Sequence, residues 1–324
     1  MAKPKVAFYW CGACGGCEEA VVDLAEDILK VVEAVDIALW PVALDFKLKD
    51  AQAWKPGEIA VSFINGAVRL SEHEEWVKLL REKSGLVVAF GSCSHLGGIP
   101  GLVNLSTAED VFRNKYETSV TVDNPDKVRP QTHSNVDGYD LELPAVWNSV
   151  KRLDEVIDVD YYLPGCAPPP NLIMDAVLAI LKGELPPKGS VLAPSKSLCE
   201  TCPLNETKPE KITIGEFKRV ATSQPDPEEC YLAQGFVCMG PATRGGCGER
   251  CIRANMPCRG CFGPPPEALD QGTKLLSAIA SAGSAQTEED AAAAAAAMVD
   301  PAGTLYRFSL PSSILKRGLP RSEG

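Results

Sequence analysis

The stretch that most constrains this chain is Trp10-Cys11-Gly12-Ala13-Cys14-Gly15-Gly16-Cys17-Glu18-Glu19. An apolar run, Val6 to Trp10, precedes it and reads as a strand. Val21, Leu24, Ala25, Ile28, Val31 and Val32 follow at helical spacing. Three thiols therefore sit on a glycine-rich strand-to-helix turn. Glycine accepts positive φ and lets a bulky group approach the backbone. Thiols in such a turn are placed to grip something inorganic rather than to fill a core. The chain holds 13 cysteines, and the others either complete this site or repeat it.

Residues 1 to about 190 alternate strand and helix patterns. Candidate strands are Val6–Trp10, Asp36–Trp40, Ile59–Ile64, Leu86–Phe90 and Val156–Leu163. Several are near-continuous apolar runs, as strands buried on both faces of a parallel sheet are. Ser71-Glu72-His73-Glu74 reads as a capping box, with Trp76, Leu79 and Leu80 on the apolar face of the helix it opens. Asn171 to Lys182 reads as a helix stopped by Gly183. This alternation predicts an α/β domain, a doubly wound parallel sheet. Ligands of such domains bind beyond the carboxyl ends of the strands. Cys14 and Cys17 follow the first strand, Cys93 follows the strand ending at Phe90, and Cys166 follows the strand ending at Leu163. All four can converge although far apart in sequence; Cys11, at a strand end, is a fifth candidate. The polar, proline-bearing segment Thr107–Pro144 reads as a surface excursion.

From Cys199 the character changes. Cys199, Cys202, Cys230, Cys238, Cys247, Cys251, Cys258 and Cys261 crowd a segment dense in glycine and proline, with weak apolar periodicity. Metal centres would have to substitute for a hydrophobic core there. Beyond Pro264–Pro266, Leu275, Leu276 and Ile279 suggest one helix, and Thr287 to Val299 a second with Thr287 as N-cap. The domains expected are 1–190, 191–265 and a helical tail, 266–324.

Bulk properties narrow the partners. A formal charge of −11 argues against a nucleic-acid surface. No apolar run approaches the roughly 20 residues of a membrane span. Met1-Ala-Lys-Pro-Lys5 leads into the first strand without an apolar signal core or a twin-arginine pair. The expected location is cytoplasmic, where cysteines are poor disulfide candidates and metal binding leads.

Twelve of the thiols, four at strand ends and eight beyond, suit three cubane iron–sulfur clusters of four ligands each. Zinc is the alternative for the later eight, whose Cys199/Cys202 and Cys258/Cys261 pairs also suit four-cysteine zinc sites. A thioredoxin-like pair is disfavoured by the overlap of Cys11-x-x-Cys14 with Cys14-x-x-Cys17. No phosphate-binding Gly-x-x-x-x-Gly-Lys-[Ser/Thr] and no dinucleotide Gly-x-Gly-x-x-Gly after a strand occurs. His95 could hydrogen-bond a sulfide or be a loop histidine satisfied by backbone. His73 reads as a solvated helix residue and His133 as a loop residue. Glu18 and Glu19 fit the first turn of a helix, where carboxylates favour the dipole.

Cys14-Gly-Gly-Cys17-Glu18, Gly91-Ser-Cys93 with Gly97-Gly98-Ile99-Pro100, and Pro164-Gly165-Cys166 resemble the small subunit of nickel–iron hydrogenases. The resemblance implies a flavodoxin-like domain with Cys14, Cys17, Cys93 and Cys166 on a proximal [4Fe–4S] cluster. It further implies Cys199, Cys202, Cys230 and Cys238 on a distal cluster and Cys247, Cys251, Cys258 and Cys261 on a medial one. Cys199 stands where the respiratory branch has histidine, and Cys251 where that branch has proline and a [3Fe–4S] cluster, so three [4Fe–4S] clusters are implied. Ser71–Glu75, Ala89–Leu102, Cys238–Cys247, Asn255–Pro264 and Tyr306–Pro311 look like the F420-non-reducing, methyl-viologen-reducing branch, over nearly the whole chain. That branch implies a nickel–iron large subunit as partner, an iron–sulfur adaptor subunit, and a heterodisulfide reductase-type flavoprotein complex as acceptor. The chain itself shows no nickel ligands. Two other readings stay open: a complex I-like 20 kDa electron-transfer subunit, which would carry one cluster, and a non-catalytic interaction module with a zinc-bound C-terminal domain.

Overall fold

The computed structural model describes residues 3–283 and 287–315. The last residues of the expected tail, 316–324, lie outside that range. Nine strands are described: β1 (Lys5–Trp10), β2 (Asp36–Leu39), β3 (Ile59–Asn65), β4 (Val68–Leu70), β5 (Ser84–Phe90), β6 (His133–Val136), β7 (Tyr139–Glu142), β8 (Val146–Lys151) and β9 (Tyr161–Leu163). Five of them form one parallel sheet in the order β2-β1-β3-β5-β9, the doubly wound arrangement expected. Helices α1 (Gly16–Val22), α2 (Asp27–Ala34), α3 (Leu48–Gln52), α4 (Ser71–Lys83), α5 (Ser92–Leu96), α6 (Ala108–Arg113) and α7 (Pro170–Lys182) accompany the strands.

Alternation along β1 sends Val6 and Phe8 to one face and Ala7 and Tyr9 to the other. The first face packs on α1, α2 and α7 through Val21, Val31 and Ile173. The second packs on α4 through Trp76, Val77 and Leu80. Phe8 stacks on Phe63 across the sheet at 5.2 Å, and Tyr9 on Trp76 at 5.0 Å.

Four local expectations are corrected. The helix read through Val32 is two, broken after Val22 by turns in which Ala25 takes φ 51°. The Ser71 box does not form. Leu70 is the N-cap, without a side-chain cap bond, and the Ser71 hydroxyl accepts the Ala145 N–H at 3.0 Å. The strand read from Val156 starts only at Tyr161, because the Asp160 carboxylate turns back to the Val87 N–H at 2.8 Å and to Arg81 at 2.6 Å. The 107–144 excursion lies on the surface as expected but contains α6, capped by Thr107, and the exposed β6–β7 hairpin. Asp137 and Gly138 at its turn both take positive φ, the signature of an Asp-Gly hairpin. His133 is thus a strand residue, 3.5 Å from Glu142 across the ladder.

Beyond the sheet come α8 (Leu198–Thr201), α9 (Arg250–Arg253), α10 (Gln271–Ala282), α11 (Glu288–Ala297) and α12 (Pro301–Leu305). The cysteine-rich segment does possess an apolar core, contrary to expectation, because the tail supplies part of it. Leu198, Tyr231, Phe236, Met239 and Ile252 pack with Leu275 and Ile279 of α10 and with Leu305, Tyr306 and Leu310. The tail also reaches the sheet domain, where Gly97 and Gly101 lie so close to Pro311 that a Cβ on either would fall within 2.4 Å of its ring. Among the described residues no helix is long and apolar enough to cross a membrane.

Candidate metal centre

The first set of thiols is built by three strand ends. After β1, Gly15 at φ 86° turns the chain into α1, leaving Cys14 before the helix and Cys17 in its first turn. After β5, Gly91 at φ 85° turns it into α5, which carries Cys93. After β9, Pro164 and Gly165 lead to Cys166. The two latter turns are stitched together by the Gly91 N–H to Leu163 O at 2.8 Å and the Ser92 N–H to Gly165 O at 2.7 Å. Two glycines make room for sulfur: a Cβ on Gly91 would lie 2.4 Å from Cys17 Sγ, and one on Gly98 2.4 Å from Cys93 Sγ. Burial raises the Cys17 pKa, and the neighbouring Cys93, Cys166 and Cys14 raise it further. Burial, then Cys166 and Cys14, push the Cys93 thiol up to about 12. Burial and Cys14 raise Cys166 as well. The four sequence-predicted strand-end thiols are thus one mutually interacting group.

The second set lines a cavity of about 540 Å³: Cys199 and Cys202 from α8 and its C-cap, with Cys230 and Cys238 from the loops that follow. Burial, then Cys238 and Cys202, push Cys199 up to about 12. Burial pushes Cys238 up to about 11 against the opposing pull of the Gly240 and Cys258 N–H groups. The third set, Cys247, Cys251, Cys258 and Cys261, lines a separate cavity of about 110 Å³ that Cys166 also faces. Burial, then Cys251, Cys166 and Cys247, set the balance that leaves Cys261 at about 12 despite a backbone bond that lowers it. Burial raises Cys258 well above the ordinary thiol range.

These contacts order the sets in space. Cys166 of the first set borders the third, and the Ser92 hydroxyl donates to Cys261 O across the same seam. The Cys258 N–H of the third set points at Cys238 Sγ of the second, at 3.4 Å. The third set lies between the other two.

Cys11 belongs to none of them. It is buried in the core of the opposite sheet face with Tyr9 and Trp76, and burial and Glu72 raise its pKa. His95 sits on α5, its ring 4.7 Å from that of Tyr162, and its buried Nδ1 has no hydrogen-bond partner, so the backbone-satisfied reading does not hold. Burial, reinforced by Arg244 and Arg152, lowers its pKa to about 3 and keeps it neutral. His73 is half-buried rather than solvated; its Nδ1 faces the Arg69 N–H at 3.4 Å. Sequence reasoning missed the burial of Glu18. Its carboxylate accepts from Trp40 Nε1 and Asn65 Nδ2 beside the first thiol set. Burial raises its pKa against those two bonds.

The donor set fits a cationic inorganic core. Each group has at least one buried thiol, Cys17 and Cys93 in the first, Cys238 in the second and Cys258 in the third, that burial and its neighbours hold against ionisation; a positive centre among them would reverse both effects while releasing their protons. Among the described residues no three His, Cys, Asp or Glu side chains are grouped as a single ion requires. One zinc draws four sulfurs to about 2.3 Å from itself; a four-iron cubane holds its thiolates farther apart.

A doubly wound sheet with cysteines gathered at its strand ends, followed by cysteine-rich loops, defines a class of redox subunit. The family described as NADH ubiquinone oxidoreductase, 20 Kd subunit, matches residues 14–180, a span that holds the first thiol set and ends before the other two. The iron-sulfur subunit of the F420-non-reducing hydrogenase from Archaeoglobus profundus is 40% identical over 97% of this chain and 98% of its own length. Its counterpart in the F420-non-reducing hydrogenase of Methanothermobacter marburgensis is 36% identical over 97% of this chain and 96% of its own. A chain of the [NiFeSe] hydrogenase from Desulfovibrio vulgaris Hildenborough shares the fold, with a TM-score of 0.52 and 17% identity, covering 82% of this chain and 95% of that one. The protein belongs to the 20 Kd subunit family and, within it, to the family of these F420-non-reducing hydrogenase subunits. It is a hydrogenase subunit, an oxidoreductase component with an electron-transfer role.

Proposed function

We propose that the chain is the electron wire of a nickel–iron hydrogenase, with three [4Fe–4S] clusters held by the three cysteine sets. Cys14, Cys17, Cys93 and Cys166 hold the proximal one; Cys247, Cys251, Cys258 and Cys261 the medial; Cys199, Cys202, Cys230 and Cys238 the distal. On this reading residues 1–190 form the proximal domain, 191–265 the two-cluster domain, and 266–324 the tail, which braces it through Leu275, Ile279, Tyr306 and Leu310. Such clusters supply one-electron carriers between hydrogen oxidation at a large subunit and an iron–sulfur adaptor leading to a heterodisulfide reductase-type acceptor.

The observation that carries this reading is the spatial order of the thiol sets, with Cys166 bordering the third set and Cys258 touching Cys238 of the second. A wire needs such succession; a zinc-bound interaction module does not. A 20 kDa complex I-like subunit with one cluster leaves eight gathered cysteines without a role. The chain's own work is to bury the thiols, separate the sets and exclude water. The apolar contacts of Phe262, Leu163 and Phe90 do this at the first seam, and those of Leu198, Met239 and Ile252 at the second.

Replacing Cys93 by serine in the assembled hydrogenase is expected to remove about four irons per chain, abolish hydrogen-dependent dye reduction and weaken subunit pairing. Full activity with unchanged iron content would refute the proximal assignment.

A further inference from the structure

A cleft of about 180 Å³ is lined by four cations, Lys218, Arg219, Arg259 and Arg307, and by no cysteine. The fold assembles them from three separate stretches. The Lys218 N–H is held by Gly235 O at 3.0 Å. Arg259 follows Cys258, whose carbonyl accepts the Met239 N–H at 3.0 Å. Arg307 precedes Phe308, whose carbonyl accepts the Gly98 N–H at 3.0 Å. Among the described residues no side-chain hydrogen bond or ion pair engages any of the four. The carboxylate in the lining, Asp300, is already committed: its Oδ1 accepts the Gly303 N–H at 3.0 Å and caps α12. Arg259 and Arg307 are half-buried, and burial and then Arg307 depress the Arg259 pKa. Two half-buried guanidinium groups that repel one another without a counter-charge are costly, and an anion between them removes that cost. On a chain of formal charge −11 this cleft is a local reversal of sign.

We propose that the Lys218–Arg219–Arg259–Arg307 cleft binds a phosphate group, and that its occupancy tunes the cluster held by the third thiol set. The planar forks of the two arginines match the oxygens of a phosphate, and the lysine adds a point charge. A neighbouring cleft of about 430 Å³ shares Val220 and Ala221 and is lined by Thr222, Ser223, Gln224 and Asn255. It offers room and polar partners for the remainder of a larger phosphate ester. The binding site stands on this geometry alone. The tuning rests on the reading that Cys247, Cys251, Cys258 and Cys261 hold the medial cluster. The Arg259 charge acts on Cys251, Cys238 and Cys258. A cation there favours the reduced, more negative state of a cluster and raises its potential; a bound phosphate cancels that charge and lowers it. By linkage, reduction of the cluster weakens phosphate binding by the same factor.

The test uses the assembled hydrogenase in an oxyanion-free chloride buffer without air, with orthophosphate as probe and binding measured by calorimetry. The double variant Arg259→Gln/Arg307→Gln is expected to weaken binding at least about tenfold. Lys218→Gln/Arg219→Gln, whose side chains are exposed and whose loss leaves the packing intact, is expected to fall between. Arg113→Gln/Lys115→Gln, exposed on the 107–144 excursion, is the control and is expected to bind as the unmodified chain does. Iron content is followed in every variant. Pyrophosphate and ADP separate the two sources of a phosphate group: tighter binding of ADP assigns the site to a nucleotide, and equal or weaker binding to a free anion. Reduction under hydrogen, which adds no anion, is expected to weaken orthophosphate binding about fivefold or more, with electron paramagnetic resonance confirming the reduced clusters. Absence of phosphate binding, or binding by both cleft variants equal to that of the unmodified chain, overturns the site. Affinity unchanged on reduction, with iron content intact, overturns the tuning. If Cys258→Ser keeps its full iron content, the medial-cluster reading itself fails; the tuning falls with it, and the phosphate site is judged by the binding variants alone.

Discussion

Glu18 follows directly on Cys17, and its carboxylate is enclosed by Trp40 and Asn65. Sequence placed it in a first turn, where the helix dipole accounts for it. Its burial was illegible because its partners lie 22 and 47 residues away. Burial raises its pKa above the ordinary 4.5, so the folded chain keeps a proton there that an exposed glutamate would lose. The sign follows: the group costs no stability below the ordinary value, and a cost sets in as pH rises from there through the raised one. Infrared difference spectra should therefore show a protonated-carboxyl band that survives above pH 4.5 and disappears in Glu18→Gln. A band titrating like a free carboxylate, or one retained in the variant, would contradict this. The strand-end cysteines were conspicuous in the sequence because a thiol on a glycine turn has few other uses. Cys11 was the exception: whether it pointed toward or away from its neighbours depended on the strand's alternation at its last residue.

At the scale of elements, the four strands β1, β2, β3 and β5 were legible from continuous apolar runs, and β9 only at its end. What sequence could not give was side-chain capture of the backbone, as where Asp160 shortens β9 and Ser71 ties to Ala145. The cysteine-rich segment misled in another way. Its own apolar residues are sparse, and the core it folds around is completed by α10 and by Tyr306 and Leu310. Gly272 shows how close that packing is, since a Cβ there would fall 2.3 Å from the Tyr306 ring. Gly272→Val is expected to lower stability by about 1–3 kcal/mol, the usual cost of overpacking. The exposed α11 offers the contrast, where Ala293→Gly should cost no more than about 1 kcal/mol. Anaerobic thermal unfolding of both variants checks the pair, and equal shifts would contradict the shared core.

For the whole molecule, the sheet fixes one end of a path and the shared core fixes the other. The first thiol set hangs on the carboxyl ends of β1, β5 and β9, where a doubly wound sheet places its ligands. The second sits in the cavity beside α8 and α10, and the third bridges them through Cys166 and Cys258. The convergence of Cys14, Cys17, Cys93 and Cys166 follows from the strand ends they stand on, whereas for the later eight spacing leaves zinc open and the division into two sets comes from the family resemblance. On the proposed reading all twelve thiols serve iron–sulfur clusters in succession. The most direct test is anaerobic iron, zinc and acid-labile sulfide analysis of the purified chain, with electron paramagnetic resonance after dithionite reduction. Three cubanes in succession would give about twelve irons and twelve sulfides per chain and signals broadened by cluster–cluster interaction. About four irons with zinc in the remaining sites, and one isolated signal, would contradict it.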